Sequence, residues 1–288
     1  MKYPEVSVVI CSLRKNKSTI KKLISSIKLQ TIKPIEIVLV KSVTPRTKAH
    51  NLGVYNSTGE IIVFFDDDIV LGDNFIIENM IKVMINNSKI GIVGVPIIIP
   101  LKSNWFQRGC DAQLLRINSQ IVRRPVESTM ASHAIMAISK KLYQKIGGEK
   151  EDLRMNDDAY LSYNISRMGY KIFIAPNSWV YHSQPKDIIV LIKKYFYQGM
   201  EQFNDYITSP ELIYSTPIKE KKSLQKSNLW NQFYRNLKII INSLFGFKYI
   251  LLISRLSTGI GFMAASFGLS KPVKQFLNEE IEVIKIKK

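Results

Sequence analysis

Three consecutive aspartates, Asp66, Asp67 and Asp68, follow an apolar run, Ile61-Ile62-Val63-Phe64-Phe65. Carboxylates set side by side repel one another unless a cation neutralises them. A hard divalent ion takes oxygen ligands and bridges carboxylates to phosphate. This spacing therefore invites metal-assisted handling of a phosphorylated ligand, against the plainer alternative of a solvated acidic turn after a strand. A second acidic pair, Asp157-Asp158, stands ahead of another apolar-periodic stretch. Acids there either offset a helix N-terminus or present a base to a substrate.

These residues need elements to carry them. The run before the aspartates is rich in β-branched and aromatic residues and follows a Thr58-Gly59-Glu60 turn, so it reads as a short buried strand. Burying unpaired carboxylates is costly, so the aspartates are expected to emerge where the strand ends. In an open α/β sheet that end is where ligands bind. Val6 to Cys11, Ile35 to Val40 and Gly91 to Ile99 read as further strands. Ser18 to Gln30, with Ser18 as N-cap, Lys48 to Asn56 and Asp73 to Asn87 read as helices. Such alternation predicts an α/β fold with a mostly parallel, doubly wound sheet flanked by helices. Residues 101 to 135 show little periodicity and are expected to form an irregular insertion over the active face. Ser139 to Ile146 reads as a short helix stopped by Gly147-Gly148. Asp157 to Met168 reads as a helix ended by Gly169, with short strands at Ile172 to Ala175 and Trp179 to Tyr181.

At 288 residues, 46% hydrophobic and 22% charged, the chain has the composition of a folded protein with a full core. A formal charge of +18 implies attraction to a polyanion, an anionic membrane face or phosphorylated ligands. Two cysteines, Cys11 and Cys110, make no disulfide framework, so reduced thiols in a cytosolic setting are expected. No secretory leader is expected, because the first residues lead straight into a strand pattern.

The character changes after Pro185, which divides the chain into an expected catalytic domain, 1–185, and a helical, basic region, 186–288. Leu237 to Ser270 is apolar with few charges, and its longest uncharged run, Leu256 to Ser270, is shorter than the roughly 20 residues a bilayer needs. Two amphipathic helices on an anionic membrane surface, or a hairpin packed on the catalytic domain, both fit. Lys219, Lys221, Lys222, Lys226, Arg235, Lys238, Lys271 and Lys274 supply the flanking charge. The expected location is the cytoplasm, peripheral on the inner face of the cell membrane.

Several stretches in order, Val6-Ser7-Val8-Val9-Ile10, Ala49-His50-Asn51-Leu52-Gly53, Thr58 to Asp68, Ile146-Gly147-Gly148, Asn156 to Leu161 and Gly169-Tyr170-Lys171-Ile172, together resemble glycosyltransferase family 2. These are inverting sugar transferases of GT-A fold, and the resemblance covers about residues 5 to 185. It implies an Asp-x-Asp motif in which Asp68 ligates Mn²⁺ or Mg²⁺ on the donor diphosphate, with Asp66 near the ribose or sugar and Asp67 between them. It implies that Asp158 is the general base and that His182, after Trp179-Val180-Tyr181, completes the metal site or contacts the diphosphate. Ser12 and Arg14 fall in the first strand-end loop, where relatives bind the nucleotide, and Asn51 in the second motif is placed with the donor. His133 lies before the acceptor-side helix. His50 stands where relatives often carry an Arg and is left without a role.

Two departures from the family pattern matter. Relatives commonly carry an Asp after the second strand that reads the nucleotide base. Here Lys41 follows Val40, and a lysine accepts no hydrogen bond from a base N–H. Lys41, Arg46 and Lys48 either grip phosphates or are solvated. Asp157 stands where a Glu is usual, and capping or function are both open to it.

The leading expectation is a metal-dependent inverting transfer of sugar from a nucleotide-sugar donor to a glycan or lipid-linked acceptor. A sugar nucleotidyltransferase is an alternative, although Cys11 to Lys17 lacks the glycine-rich phosphate loop of that class. A nucleic-acid-binding protein is the non-enzyme alternative. The charge is spread along the chain without interleaved stacking aromatics, so no nucleic-acid partner is expected.

Overall fold

The structure is a computed structural model. It describes residues 3–13, 17–114, 116, 118–210, 214–215, 225–226, 229–269 and 281–287. In chain order the elements begin with β1 (Val6–Ser12), α1 (Lys17–Lys28), β2 (Glu36–Lys41), α2 (Arg46–Tyr55), β3 (Ile61–Asp66), β4 (Val70–Leu71) and α3 (Ile76–Ile85). Then come β5 (Ile90–Gly94), β6 (Ile97–Ile98), α4 (Trp105–Gln113), β7 (Val126–Ser128), β8 (Ile135–Ser139), α5 (Lys140–Lys145), α6 (Asp157–Arg167), β9 (Lys171–Ile174) and β10 (Val180–Tyr181). The last part holds α7 (Ile188–Thr208), β11 (Tyr214–Ser215), β12 (Gln225–Lys226), α8 (Leu229–Phe245), α9 (Tyr249–Ser266) and β13 (Glu282–Lys287).

The central sheet has the order β13-β2-β1-β3-β8-β5-β9-β7. Strands β1, β2, β3, β5 and β9 run one way, and β7, β8 and β13 run the other. Side chains alternate across the sheet, which divides the core in two. On one face Val6, Val8, Ile10, Val63 and Phe65 meet Ile20, Leu23 and Ile27 of α1 and Ile77, Met80 and Ile81 of α3. On the other, Val9, Val38, Val40, Ile62 and Phe64 meet α2, α5 and α6 through Ala49, Leu142, Leu161 and Ile165. The sheet is wound on both faces, as the alternation predicts.

Three departures from the sequence reading bear on the site. First, Ile135–Ser139 is a strand, inserted antiparallel between β3 and β5, with Ser139 as the N-cap of α5 rather than part of a longer helix. Second, the stretch expected to be irregular holds α4, opened by a reciprocal capping box between Asn104 and Gln107. Third, the region after 186 is not all helix, because β13 returns to pair with β2 at the sheet edge. That pairing gives Lys41 a partner the sequence reading did not offer, its Nζ lying 2.8 Å from Glu282 Oε2.

The C-terminal helices are fastened to the catalytic sheet through α4. Phe106, Cys110 and Leu114 pack with Leu191 of α7 and against Ile250, Leu251 and Ile253 of α9. Gln113 Oε1 accepts from the Ile250 and Leu251 amides and caps the start of α9. Helices α7 and α9 cross in close contact at two glycines. A Cβ on Gly199 would overlap the Thr258 carbonyl oxygen, and one on Gly261 would overlap that of Phe196.

Candidate active site

The aspartate triplet leaves the carboxyl end of β3, as the apolar run before it requires. Asp66 is the last residue of β3, and Asp67 and Asp68 lie in the turn that follows. Asp67 is buried and accepts a hydrogen bond from Ser12 Oγ at the end of β1. Asp68 Oδ1 lies 3.3 Å from Nε2 of His182, which directly follows β10. Strand β10 is held against β6, with the His182 amide donating to the Ile98 carbonyl at 3.0 Å. Ligand atoms of Asp66, Asp68 and His182 all lie within 4.8 Å of one another. Two hard carboxylates and one imidazole suit Mn²⁺ or Mg²⁺, so the residues present fit the expected ion.

The acidic pair opens α6 on the other side of the site. Asp157 is buried and does not cap the helix. It takes a two-pronged hydrogen bond from Arg46, at 2.8 Å from Nε and 2.9 Å from Nη2. Nη1 of Arg46 also lies 3.6 Å from Asp66 Oδ1, and Nη2 lies 3.8 Å from Asp158 Oδ1. One guanidinium at the start of α2 thus links the β3 carboxylates to the α6 carboxylates. Its planar fork is suited to this, where a lysine would supply only a point charge.

Behind the acids lies a buried network that sequence reasoning did not assemble. Glu149, after the glycine turn, sends its two oxygens to His133 Nε2 at 2.8 Å and His50 Nδ1 at 3.1 Å. The two imidazoles stack with centroids 4.7 Å apart. Nδ1 of His133 faces Asp158 Oδ1 at 3.6 Å and Asp157 Oδ2 at 3.7 Å. Burial alone would raise the Glu149 pKa, but the charge of His133 and the hydrogen bonds of both histidines hold it well below the usual carboxylate range. Burial alone would lower that of His133, but Glu149 and the acidic pair raise it well above an ordinary histidine. For His50 burial prevails over Glu149, and its pKa falls. His133 is therefore the charged ring and His50 the neutral one. His50, His133, Glu149 and Asp157 also sit close enough to hold an ion. However, Glu149 is engaged by both rings and Asp157 by Arg46, so the cluster is closed by its own bonds.

Asp157 and Asp158 titrate as a pair. Burial works to raise both carboxyls. It prevails at Asp157, while His133 and Arg46 hold Asp158 low. Asp158 is thus ionised at neutral pH and able to accept a proton.

The remaining sequence candidates are placed as follows. Ser12 lines the cavity in front of the triplet, with Asp66, Asp67, Asp68 and His182. Lys48 is exposed on α2 and lines neither cavity; Arg46, two residues earlier, reaches the site instead. Asn51 faces inward, its amide tying down the Glu149 loop through Glu149 O at 2.7 Å and Tyr143 Oη at 2.7 Å. It therefore shapes the site without lining it. Arg14 lies outside the described residues.

Two cavities meet at this point. One, of about 690 Å³, lies over the ends of β1 and β3. The other, of about 710 Å³, has Asp66, Asp158 and His182 on one wall and residues of α7, α8 and α9 on the opposite wall. Asp66, His182 and Lys194 border both. The stretch expected to form an insertion over the active face supplies Gln113, Leu114, Arg116, Met130, Ser132 and Ala134 to the larger one.

Comparison with known proteins agrees with this geometry. Residues 1–200 match the family described as glycosyltransferase like family 2. No curated protein matches the chain. Among solved structures, the chain superposes on the mannosyltransferase PcManGT from Pyrobaculum calidifontis, in complex with GDP-Man and Mn²⁺, with a TM-score of 0.56 and 17% identity. That match covers 96% of this chain and 79% of the other. It also superposes on GalNAc-T7 with UDP, GalNAc and Mn²⁺, with a TM-score of 0.52 and 13% identity, over 76% of this chain and 52% of that one. At these identities the two structures speak for the GT-A fold alone. Because the family match runs through more than half of its length, the chain belongs to glycosyltransferase like family 2 and is a glycosyltransferase.

Proposed function

We propose that the protein transfers a sugar, with inversion, from a nucleoside-diphosphate donor to a hydroxyl of a glycan or lipid-linked acceptor. The observation that carries this reading is the shared wall of the larger cavity, on which Asp158 faces the same space as Asp66 and His182. An acceptor hydroxyl in that space gives its proton to Asp158 as its oxygen bonds to the anomeric carbon. The bond from that carbon to the diphosphate breaks on the opposite side, so configuration inverts. When bound at Asp66, Asp68 and His182, a divalent cation supplies Lewis-acid stabilisation of the departing diphosphate. Arg46 fixes Asp157 and thereby the start of α6, which orients Asp158 toward the cavity. The two solved GT-A structures carry a nucleotide or nucleotide sugar with Mn²⁺, which supports a metal-dependent donor site here.

The same reading puts the protein on the cytosolic face of a membrane, lying on it rather than through it. Helix α9 is long and apolar enough to cross, with a mean hydropathy of 1.3 and 22% of it buried. One face of α9 is nevertheless committed to α7, and Arg255 lines the cavity. The outward surfaces of α8 and α9 expose Trp230, Phe233, Phe245, Ile260 and Phe267 near Lys238 and Lys248, a pattern suited to an anionic interface.

The test is thermal unfolding with UDP, GDP and dTDP, each with and without Mn²⁺. One diphosphate at a hundredfold excess over its Kd stabilises the protein by about 2.7 kcal/mol, and only with the metal. No response to any of them refutes the donor site. Flotation with anionic liposomes checks the membrane arm, which fails if the protein stays at the bottom of the gradient.

A further inference from the structure

The larger cavity changes character along its length. Its carboxylates, Asp66 and Asp158, are at the reaction end. Lys194, which borders both cavities, and Arg116, whose Nη1 donates to the His182 carbonyl at 3.0 Å, lie toward that end, whereas Lys248 at the start of α9 and Arg255 within α9 line the other. Residues 229 to 269 contain no Asp or Glu at all, so α8 and α9 bring no internal counter-charge. Nε of Arg255 is buried and has no hydrogen-bond partner among the described residues. The charged group that most bears on Arg255 after Tyr195 is another cation, Arg235, and burial depresses both guanidinium pKa values.

A guanidinium nitrogen withdrawn from water is retained where an acceptor meets it, since an unpaired buried donor is costly. The space is that of a cavity, not a surface stripe, so the anion is a compact group and not a polymer. Behind it, the outward surfaces of α8 and α9 are apolar and aromatic, which suits the chain of an amphiphile. Resting on the transferase reading above, we propose that Arg255 and Lys248 form an anion site for the phosphate or diphosphate of a lipid-linked acceptor. The site holds that group at the α9 end of the cavity while the acceptor hydroxyl lies at Asp158.

The full chain is first titrated with nucleoside diphosphates and Mn²⁺. Then, with the donor site saturated, farnesyl phosphate, farnesol and inorganic phosphate are titrated separately by calorimetry. Farnesyl phosphate is expected to bind at least about tenfold more tightly than either of the others, as charge-assisted hydrogen bonds to a phosphate require. Arg255→Gln should lose about tenfold or more of that affinity with nucleotide binding unchanged, and Arg255→Lys should restore part of it. Lys248→Gln gives a second reading should Arg255→Gln misfold, with the loss of farnesyl phosphate affinity again expected. Equal binding of farnesol overturns the anion site, and equal binding of inorganic phosphate overturns the lipid. Unchanged affinity in both Gln variants overturns the assignment of these residues. Normal nucleotide binding with any of those results sinks the acceptor site alone, whereas absent nucleotide binding sinks the transferase reading and this site with it.

Discussion

Replacing Glu149 by Gln removes one negative charge from the centre of the buried network while keeping its shape. His133 then keeps only Asp157 and Asp158 as counter-charges, 3.7 and 3.6 Å away. Breaking a buried ion pair by removing one partner costs about 3–5 kcal/mol. For a chain of this size that corresponds to a fall in melting temperature of roughly 10 °C. The pH dependence has a definite sign. The Glu149 pKa is lowered on folding, so its contribution is present above about pH 4.3, the unfolded carboxyl value, and is lost as pH falls through the folded one. The His133 pKa is raised, so its contribution is complete below about pH 6.5 and is lost as pH rises through the folded value. The network therefore stabilises from mildly acid pH past neutrality, and the native protein should lose melting temperature on the alkaline side. In Glu149→Gln that alkaline loss should shift toward neutral pH, because His133 holds its proton less tightly. Calorimetric unfolding of both proteins from pH 5 to pH 9.5 makes the comparison. A variant that melts within about 2 °C of the parent, with the same alkaline slope, would falsify the ion-pair account, since about 1 kcal/mol is then all that Glu149 contributes.

Asp68→Ala should abolish transfer and the Mn²⁺-dependent part of nucleotide binding, and near-normal turnover would remove it from the metal site. Asp158→Asn should bind metal and nucleotide normally yet lose about 10²-fold or more in turnover, as expected for a missing base; loss of nucleotide binding instead would place Asp158 in the donor site. Gly261→Val should force α9 from α7 and cost about 1–3 kcal/mol in urea unfolding, an overpacking penalty that an unaltered midpoint would rule out.

What the sequence made legible was what lies close together along it. The aspartate triplet and the Asp157-Asp158 pair could be read because each is a short local run beside a periodic segment. Arg46, Glu149 and the two histidines could not be joined, because contacts between residues 46 and 157, or 50 and 149, depend on how the sheet is wound. Strand β8 was hidden because Ile135–Ser139 is almost wholly buried and shows no alternation, and it falls between the stretch of low periodicity and the helix read from Ser139. Strand β13 does alternate, in Glu282-Val283-Ile284-Lys285-Ile286-Lys287, and the capping box of α4 stands in Asn104 and Gln107. Both signals were present, and a basic stretch and a stretch of low periodicity obscured them.

The return of β13 to the edge of β2 has a consequence for how this enzyme is built and handled. Helices α7 and α9 are packed against α4, with Gln113 bonded to the start of α9, and residues 282–287 beyond them lie on the sheet edge as β13. A protein cut after residue 185 would bare the backbone of β2, from Glu36 to Lys41, as an unprotected sheet edge open to pairing with other chains. Nascent chains face the same exposure until residues 282–287 have been made.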